Sequence, residues 1–316
     1  MRRRLRAAGD RPQGSVLRTR AGRGDTRTDK KSFVPQLVSV LTAITAVLAI
    51  LISWLTFKMQ QDGQYSARYT SAVEQFGNQS LRARTGAVYL LGRLAVESSD
   101  DREIIVKMLA DYVKQQTGMG EEDPDVCDAR PTPPLDVVAA MRMLFFRIER
   151  KPGDEQIDLR RVCLMGVEMP GADLTCVRLD QSVIEFSYFD NAKLVHASLQ
   201  RTRFSGSSFI DADLTRAVAY GADFTNADRY GSTDLIGTQL DDAELFGAKF
   251  NGADLTNADF TRARMDEADL LNTDVTGTGL ATYLGKVKNL PPDADRSGEL
   301  AAAESLPTSS VSRPCS

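Results

Sequence analysis

The sequence predicts a mainly β protein in which a solenoid of short repeats follows a membrane-spanning helix and a small α-helical stack. Three observations support this prediction: apolar side chains recur every five residues over 157–280, residues 33–57 form an uncharged apolar run, and amphipathic helical patterns occupy most of 62–156. A basic arm at 1–32 is predicted to be disordered, and 281–316 is predicted to contain a cap and a disordered tail.

Charge is distributed unevenly along the sequence. The net charge is −4 over 316 residues, but residues 1–31 contain eleven Lys and Arg against three Asp and Glu. Residues 157–280 contain eleven basic and twenty acidic residues. The basic charge therefore precedes the apolar run, and most of the acidic charge lies in the repeats.

The apolar run at 33–57 contains 25 residues without a charge, and a helix needs roughly 20 to cross a bilayer. We expect an uncleaved single-pass anchor in contact with the lipid bilayer; a buried core helix and a cleaved signal peptide are the alternatives. The basic arm before the run predicts a cytoplasmic N-terminus and a repeat region outside the cell. Nucleic-acid binding is another role for such an arm, but beside an apolar run a topology signal with lipid contact is the simpler interpretation.

The region 62–156 is predicted to form amphipathic helices with short connections. The expected segments are 65–76, 80–97 with Ser80 as the N-cap, a helix that begins at Ser99, and 137–150. The side chains expected to face inward are Leu81, Val88, Leu91, Leu94, Ala95, Ile104, Ile105, Met108, Leu109, Tyr112, Val113, Met141, Leu144, Phe145 and Ile148. The pattern predicts a small stack of HEAT- or armadillo-like hairpins, which would serve either as a spacer or as a docking surface.

From residue 157, an apolar residue occupies the centre of each five-residue repeat, and a small or β-branched residue lies two positions before it. One frame has fourteen repeats, centred from Leu159 to Phe224, and a second has ten, centred from Leu235 to Leu280. The central residues predicted to form the interior ladders are Leu159, Leu164, Leu174, Leu179, Leu194, Leu199, Phe204, Phe209, Leu214, Phe224, Leu235, Leu240, Leu245, Phe250, Leu255, Phe260 and Leu270.

A period of five matches neither the 3.6 residues of a helical turn nor the two-residue period of a strand. If each repeat forms one side of a square, four repeats make a coil of twenty residues, and residue i stacks on residue i+20. Coils separated by roughly 4.8 Å bring their backbone groups into hydrogen-bonding register. The twenty-four repeats then form six coils, a rod on the order of 30 Å long.

The repeats resemble the pentapeptide-repeat family, whose consensus is A(D/N)LXX. Six triplets match it as they stand: Ala172-Asp173-Leu174, Ala212-Asp213-Leu214, Ala222-Asp223-Phe224, Ala253-Asp254-Leu255, Ala258-Asp259-Phe260 and Ala268-Asp269-Leu270. The helical segment also resembles one that precedes the repeats in many bacterial members, so the chain is similar to the membrane-anchored type. The resemblance covers 157–280 and implies a right-handed quadrilateral β-helix. For most members it implies no known activity.

The two frames are offset between Phe224 and Leu235, which lie eleven residues apart, or two repeats plus one. Continuing the first frame would bury Arg229 and Asp234, which is unfavourable without partners. Residues 225–234 are therefore expected to bulge outward, and Arg229 and Tyr230 are the predicted partner contacts. The alternative is a tolerated insertion that has no function.

No residue pattern indicates a catalytic, cofactor or metal site, so we expect a protein that is not an enzyme. His196 is the only histidine and is expected on the outer surface. The Asp residues occur about once per repeat and are expected to be solvated around the rod. Cys163 and Cys176 are expected to point outward on opposite sides of the coil, too far apart to pair, while Cys127 and Cys315 lie outside the repeats. Four cysteines without a framework favour free thiols and leave the compartment open.

Two functional classes follow from these features. The first is a membrane-anchored scaffold that displays a rigid acidic rod to an unknown protein partner. The second, which the resemblance implies for some members, is a DNA mimic that binds and protects a topoisomerase. Basic residues within the coil and a repeat domain outside the cell favour the scaffold, and nucleic acid is not an expected ligand. The sequence predicts no particular oligomeric state, and after the coil it predicts a cap that buries Tyr283 and Leu284.

Overall fold

The computed structural model describes residues 33–119, 127, 132–151, 153–227, 232–278, 280, 287–289, 291 and 315. The chain divides into two compact units, Met1–Gln60 and Gln61–Ser316. The helices are α1 (Phe33–Phe76), α2 (Leu81–Glu97), α3 (Ser99–Thr117) and α4 (Leu135–Arg142), and α4 continues as a π-helical turn at Met143–Arg147.

Helix α1 is continuous over 44 residues. The sequence predicted a separate helix at 65–76, but the connecting residues 58–64 are rich in Lys, Met and Gln, which favour helix. The segment Leu41–Phe76 is long and apolar enough to cross a membrane, by length and composition, with a mean hydropathy of 1.9 in its most apolar window. From Val38 to Met59, the large apolar side chains are 49–74 % exposed. Such a surface is unfavourable in water and suits an apolar environment.

Helices α2, α3 and α4 pack against one another around a shared apolar core. The Ser98 hydroxyl caps α3 by accepting a hydrogen bond from its first turn, whereas Ser80 precedes α2 without a side-chain cap bond. Most of the side chains predicted to face inward are buried, but Leu81 and Ile104 are 41 % and 57 % exposed. Both predictions were wrong, because Leu81 is the first residue of its helix and Ile104 lies beside the buried row rather than in it.

The last helix of the stack ends differently from the prediction of one helix over 137–150. Helix α4 stops at Arg142, and the chain widens into the π-helical turn. This turn lies close to α2, since a Cβ atom added to Gly92 would come within 2.5 Å of Met143 Sδ. Glycine at position 92 therefore permits the approach that buries Leu144 and Phe145.

A fully buried carboxylate links the three helices. Asp136 accepts hydrogen bonds from Arg84 Nε, at 2.7 Å, and from the Tyr112 hydroxyl. Arg84 also donates to the backbone carbonyls of Asn78 and Gln79, so it fixes the start of α2 as well. Burial first, and then the hydrogen bond to Asp136, raise the pKa of Tyr112 to about 12.

The repeats form a right-handed quadrilateral β-helix, which confirms the predicted fold class. Parallel bridges join residue i to residue i+20, as in Asp158 to Arg178, along the first frame. Across the frame offset the spacing is 26, as in Ser208 to Asp234, and it returns to 20 from Asp234 onward. Phe224 and Leu235, which are eleven positions apart, are therefore the centres of two neighbouring sides of the square. The offset is an insertion of six residues in the coil, not the two repeats plus one that the sequence indicated.

The interior of the coil is filled by the ladder residues, each of which is at most 1 % exposed. Phenylalanine rings stack along the axis: the Phe204 and Phe250 centroids each lie 5.3 Å from that of Phe224. Phe189 and Phe209 form a second stack at 5.0 Å. Edge-to-face contacts of 5.1 Å between Phe204 and Phe209 join the two stacks, a favoured aromatic geometry.

Small hydroxyl side chains at the inner corners connect successive coils. Ser182 Oγ donates to Leu159 O at 3.1 Å and accepts from Val162 N at 3.1 Å. Thr202 Oγ1 donates to Leu179 O at 2.7 Å. These groups are buried, so each bond satisfies a polar group that burial would otherwise penalise.

The helical stack covers the first coil, and a short segment covers the last. Met119 N donates to Arg161 O, and Asp173 N donates to Phe145 O, both at 2.9 Å. At the other end, the backbone of Lys288 forms a parallel bridge with that of Asp269 in the last coil. These contacts satisfy backbone groups that a solenoid end would leave open. The predicted cap residues Tyr283 and Leu284 lie outside the described part of the chain.

Candidate interaction surface

The square coil has four faces, each made of one five-residue repeat per coil. Face one has the central residues Leu159, Leu179, Leu199, Ala219, Leu245 and Met265. Face two has Leu164, Ile184, Phe204, Phe224, Phe250 and Leu270. Face three, opposite face one, has Met169, Phe189, Phe209, Leu235, Leu255 and Val275. Face four has Leu174, Leu194, Leu214, Leu240, Phe260 and Leu280. In each repeat, the outer surface is formed by the residue just before the central one and by the two residues just after it.

The acidic residues lie on all four faces of the rod, as expected, but the net negative charge is largest on face three. That face carries one acidic residue in every coil and no basic residue: Glu168, Asp190, Asp211, Asp234, Asp254 and Asp274. Face one carries five acidic and five basic residues. Face two carries three acidic and two basic residues, and face four carries five acidic and three basic residues. The coil is therefore electrostatically polar across its width.

On the other faces, basic residues neutralise many of the carboxylates. Asp242 is 2.7 Å from Arg262 Nε on face four, and Glu185 is 2.8 Å from Arg203 on face two. None of the six face-three carboxylates forms an ion pair with any residue that the structure describes. Face three therefore presents six carboxylates that no cation of the described residues pairs with, and a cationic partner would reduce the repulsion among like charges there.

Three face-three carboxylates form one straight column. Bridges place Asp254 directly over Asp234 and Asp274 over Asp254. Asp254 accepts a hydrogen bond from Thr256 N at 2.9 Å, and Asp274 accepts one from Thr276 N at 3.0 Å. Hydrogen bonds from Thr276, first from its hydroxyl and then from its backbone, hold the pKa of Asp274 below its usual range. These hydrogen bonds fix the positions of Asp254 and Asp274, and the lowered pKa favours the ionised form of Asp274.

The insertion lies between faces two and three. The predicted contact residues Arg229 and Tyr230 lie outside the described residues, so their role stays a prediction. The two ends of the insertion are joined, because Thr233 Oγ1 donates to Thr225 O at 2.9 Å and accepts from Gly206 N at 2.8 Å. Asp234 faces outward, as the expected bulge requires.

Cysteine pairing corrects the expectation of free thiols. Cys127 is bonded to Cys163, and Cys176 is bonded to Cys315, with Cα–Cα distances of 5.7 Å in both pairs. Cys163 was expected to point to solvent but is only 6 % exposed, because it packs in an apolar cluster with Met119, Cys127 and Val183. The second bond, with a hydrogen bond from Gln156 Nε2 to Cys315 O, holds the end of the chain on the first coil.

His196 is half-buried on face four rather than fully solvated. Burial, and then the nearby charge of Arg216, lower its pKa. No group of three or more potential metal ligands occurs among the described residues. Among the described residues, the histidine therefore belongs to no such group.

The absence of basic residues on face three is not evident when acidic residues are counted repeat by repeat along the sequence. It becomes evident when the repeats are grouped by face. The repeats centred on Met169, Phe189 and Phe209 lie twenty positions apart, so grouping repeats at this interval places Glu168, Asp190 and Asp211 on one face before the insertion. After it, the grouping requires the number of residues in the insertion, which only the coil register supplies.

The chain is similar to known proteins in its repeat region. The family model of pentapeptide repeats matches residues 192–228, 232–262 and 243–278, with eight copies. Among solved structures, HetL from Nostoc sp. strain PCC 7120, described as involved in heterocyst differentiation regulation, is 25 % identical, with 40 % of this chain and 65 % of that chain covered and a TM-score of 0.28. The chain thus spans just under two thirds of HetL.

Two further solved structures are less similar in sequence. Rfr23 from the cyanobacterium Cyanothece 51142 is 17 % identical over 38 % of this chain and 90 % of that chain, with a TM-score of 0.32. QnrB1, a plasmid-mediated fluoroquinolone resistance protein, is 17 % identical over 46 % of this chain and 86 % of that chain, with a TM-score of 0.22. No curated protein sequence matches the chain.

Proposed function

Because the chain belongs to the pentapeptide-repeat family, we propose that it is a non-enzymatic interaction scaffold, anchored in a membrane through residues 33–57, whose face three binds a cationic protein partner. The observation that carries this proposal is the row of six carboxylates without ion pairs on a rigid coil. A rigid surface binds with little loss of conformational freedom, and unneutralised charge accelerates and orients association.

The same face is compatible with the second candidate, a DNA mimic that binds a topoisomerase. A column of carboxylates at coil spacing presents repeated negative charge, as a phosphate backbone does. The two candidates differ in compartment, because a topoisomerase is reached only from the cytoplasm. Inhibition of gyrase supercoiling by the added protein would support the mimic.

Two features support a repeat domain outside the cytoplasm. Eleven basic residues precede the apolar run, which favours a cytoplasmic N-terminus. Two disulfides join Cys127 to Cys163 and Cys176 to Cys315, and disulfides persist in oxidising compartments.

Alkylation of intact cells tests this placement. With a membrane-permeant thiol reagent, we expect no labelling of the four cysteines before reduction and labelling of all four after reduction and unfolding, because each is in a disulfide. Protease added to intact cells should remove a C-terminal tag. Labelling without reductant, together with a tag that survives, would place the domain in the cytoplasm.

Removing charge from the face-three column tests the scaffold. We expect the triple variant Asp234→Asn, Asp254→Asn and Asp274→Asn to weaken binding of a polylysine peptide to the full chain in nanodiscs by about tenfold. Asparagine keeps an acceptor oxygen for the backbone of Thr256 and Thr276 and for the Ser232 hydroxyl beside Asp234, so the coil should remain folded. Crosslinking in native membranes should lose the same partner bands in this variant.

A matched control removes three charges from face four: Asp173→Asn, Asp213→Asn and Asp259→Asn. These residues occupy the same position in their repeats and accept the same type of backbone hydrogen bond. We expect the control to retain most of the binding. Equal losses in the two triple variants would mean that net charge, rather than face three, attracts the cation.

A further inference from the structure

Face one, opposite the acidic face, contains a long open groove of about 920 Å³. Of its eleven lining residues only Asp180 is acidic. Six are basic: Lys114, Arg160, Arg161, Arg178, Arg201 and Arg264. Lys114 belongs to α3 and the others to the coil, so the groove begins where the helical stack covers the first coil. A basic groove on a coil with an excess of acidic residues indicates an anionic ligand.

Several of these cations are already neutralised. Arg160 makes two hydrogen bonds to the Asp158 carboxylate, at 2.9 and 2.7 Å, and Lys114 Nζ lies 3.2 Å from the same group. These bonds hold the pKa of Asp158 well below its usual range, and those from Arg160 have the largest effect. By contrast, Arg161 and Arg201 form no ion pair with any residue in the described part of the chain. The groove therefore contains two uncommitted guanidinium groups.

The coil holds these two groups in one column. Arg161 N donates to Asp180 O at 3.0 Å and Gln181 N donates to Gln200 O at 2.8 Å, which places Arg161, Gln181 and Arg201 in successive coils. The two arginines are thus two coils apart, roughly 10 Å at the usual spacing. Asp180, the acid between them, already accepts hydrogen bonds from Ser198 Oγ and Gln200 N.

Aromatic side chains continue the groove toward the last coil. Tyr220 and Phe246 lie in adjacent coils, because Gly221 N donates to Phe246 O at 2.9 Å. The Tyr220 hydroxyl donates to the Glu244 carboxylate, which fixes the ring. Phe246 is 52 % exposed. An exposed apolar ring at this place offers a surface for the C–H face of a sugar.

We propose that the face-one groove binds an anionic polysaccharide, with Arg161 and Arg201 contacting its charged groups and Phe246 contacting a sugar ring. A guanidinium group binds phosphate or carboxylate through two parallel hydrogen bonds. The open shape along the coil suits an extended polymer, and Gln181 and Gln200 offer amides for sugar hydroxyls. The preference for a polysaccharide over a single-stranded nucleic acid, which also uses arginine and aromatic groups, rests on the proposed placement outside the cytoplasm.

Binding of defined polymers to the full chain in nanodiscs tests this site. The probes are poly(ribitol phosphate), polygalacturonate, neutral dextran and a short oligothymidylate. We expect one or both anionic glycans to bind, with an affinity that falls as salt rises, and dextran to bind weakly or not at all. Comparing the phosphate and uronate polymers identifies the anion that the groove prefers.

The double variant Arg161→Gln and Arg201→Gln should weaken glycan binding by about tenfold or more. Glutamine suits these positions, because Gln181 has the same left-handed backbone conformation. Its φ is 59°, compared with 58° at Arg161 and 55° at Arg201. Phe246→Ala should weaken binding without changing its salt dependence. The matched control, Arg216→Gln with Arg262→Gln, removes two arginines of the same backbone conformation that pair with Asp242 on face four, and it should bind normally.

Three results would overturn the proposal: no binding of either anionic glycan, equal loss in the control, or tighter binding of oligothymidylate than of both glycans. Loss of self-association in the arginine double variant, without a glycan effect, would instead assign the groove to face three of a second copy. The polylysine assay reports on face three alone. A failure of glycan binding therefore leaves the scaffold proposal to be judged by its own variants.

Discussion

Replacing Phe224 by alanine should lower the free energy of unfolding by about 3–5 kcal/mol, because the ring is fully buried and the rod interior is too rigid to close the cavity. Its ring centroid lies 5.3 Å from those of both Phe204 and Phe250, so the variant also interrupts an aromatic stack. The change is measured by chemical denaturation of the full chain, followed by circular dichroism.

Phe246→Ala is the control for this prediction. It removes the same side chain one coil further along, where the ring is 52 % exposed, and surface changes of this kind alter stability by only about 0.5 kcal/mol or less. Hydrogen exchange should show early loss of protection in the coils that adjoin Phe224, since each coil contacts only its neighbours. A loss below about 1 kcal/mol in the Phe224 variant would contradict the packed interior.

Replacing Asp136 by asparagine should destabilise the helical stack by about 3–5 kcal/mol, because it leaves the Arg84 charge without its buried partner. The Asp136 side chain is fully buried and accepts hydrogen bonds from both Arg84 and Tyr112. Thermal unfolding of the full chain measures the loss. The pKa of Tyr112 should also fall toward its ordinary value, although burial, its larger cause, remains.

The comparison for Asp136 is the exposed pair Arg93 and Glu97. Arg93 Nε lies 2.7 Å from Glu97, but its side chain is 72 % exposed, and exposed pairs of this spacing contribute only about 0.3–0.5 kcal/mol. Arg93→Gln should therefore leave the unfolding transition nearly unchanged. Similar effects of the two substitutions would mean that Asp136 is not a buried structural charge.

In the helical stack, the apolar periodicity of the sequence predicted most of the core but not all of it. The periodicity placed Leu91, Leu109 and Val113 in the core, and they are fully buried. It failed at Ile104, which is 57 % exposed at the edge of the helix face that buries its neighbour Ile105. It could not anticipate the π-helical turn either, because that turn depends on the close approach permitted by Gly92 in another helix.

The sequence by itself determined the coil. A five-residue period held over fourteen repeats requires a turn at every repeat, and each side of the square is stabilised by the residues twenty positions away. The interior positions, the narrow corners and the spacing between coils follow from that local rule. The apolar run and its basic arm likewise need no tertiary information, since length and charge are properties of the chain.

Only the tertiary structure decided which residues meet outside this rule. The sequence did not predict the bonds from Cys127 to Cys163 and from Cys176 to Cys315, because each joins a repeat to a segment that has no period. The register across the insertion is the second case. Had the eleven positions from Phe224 to Leu235 covered two sides of the square, Asp234, Asp254 and Asp274 would lie on face four. Those positions cover one side, and the folded register therefore sets the acidic face opposite the basic groove.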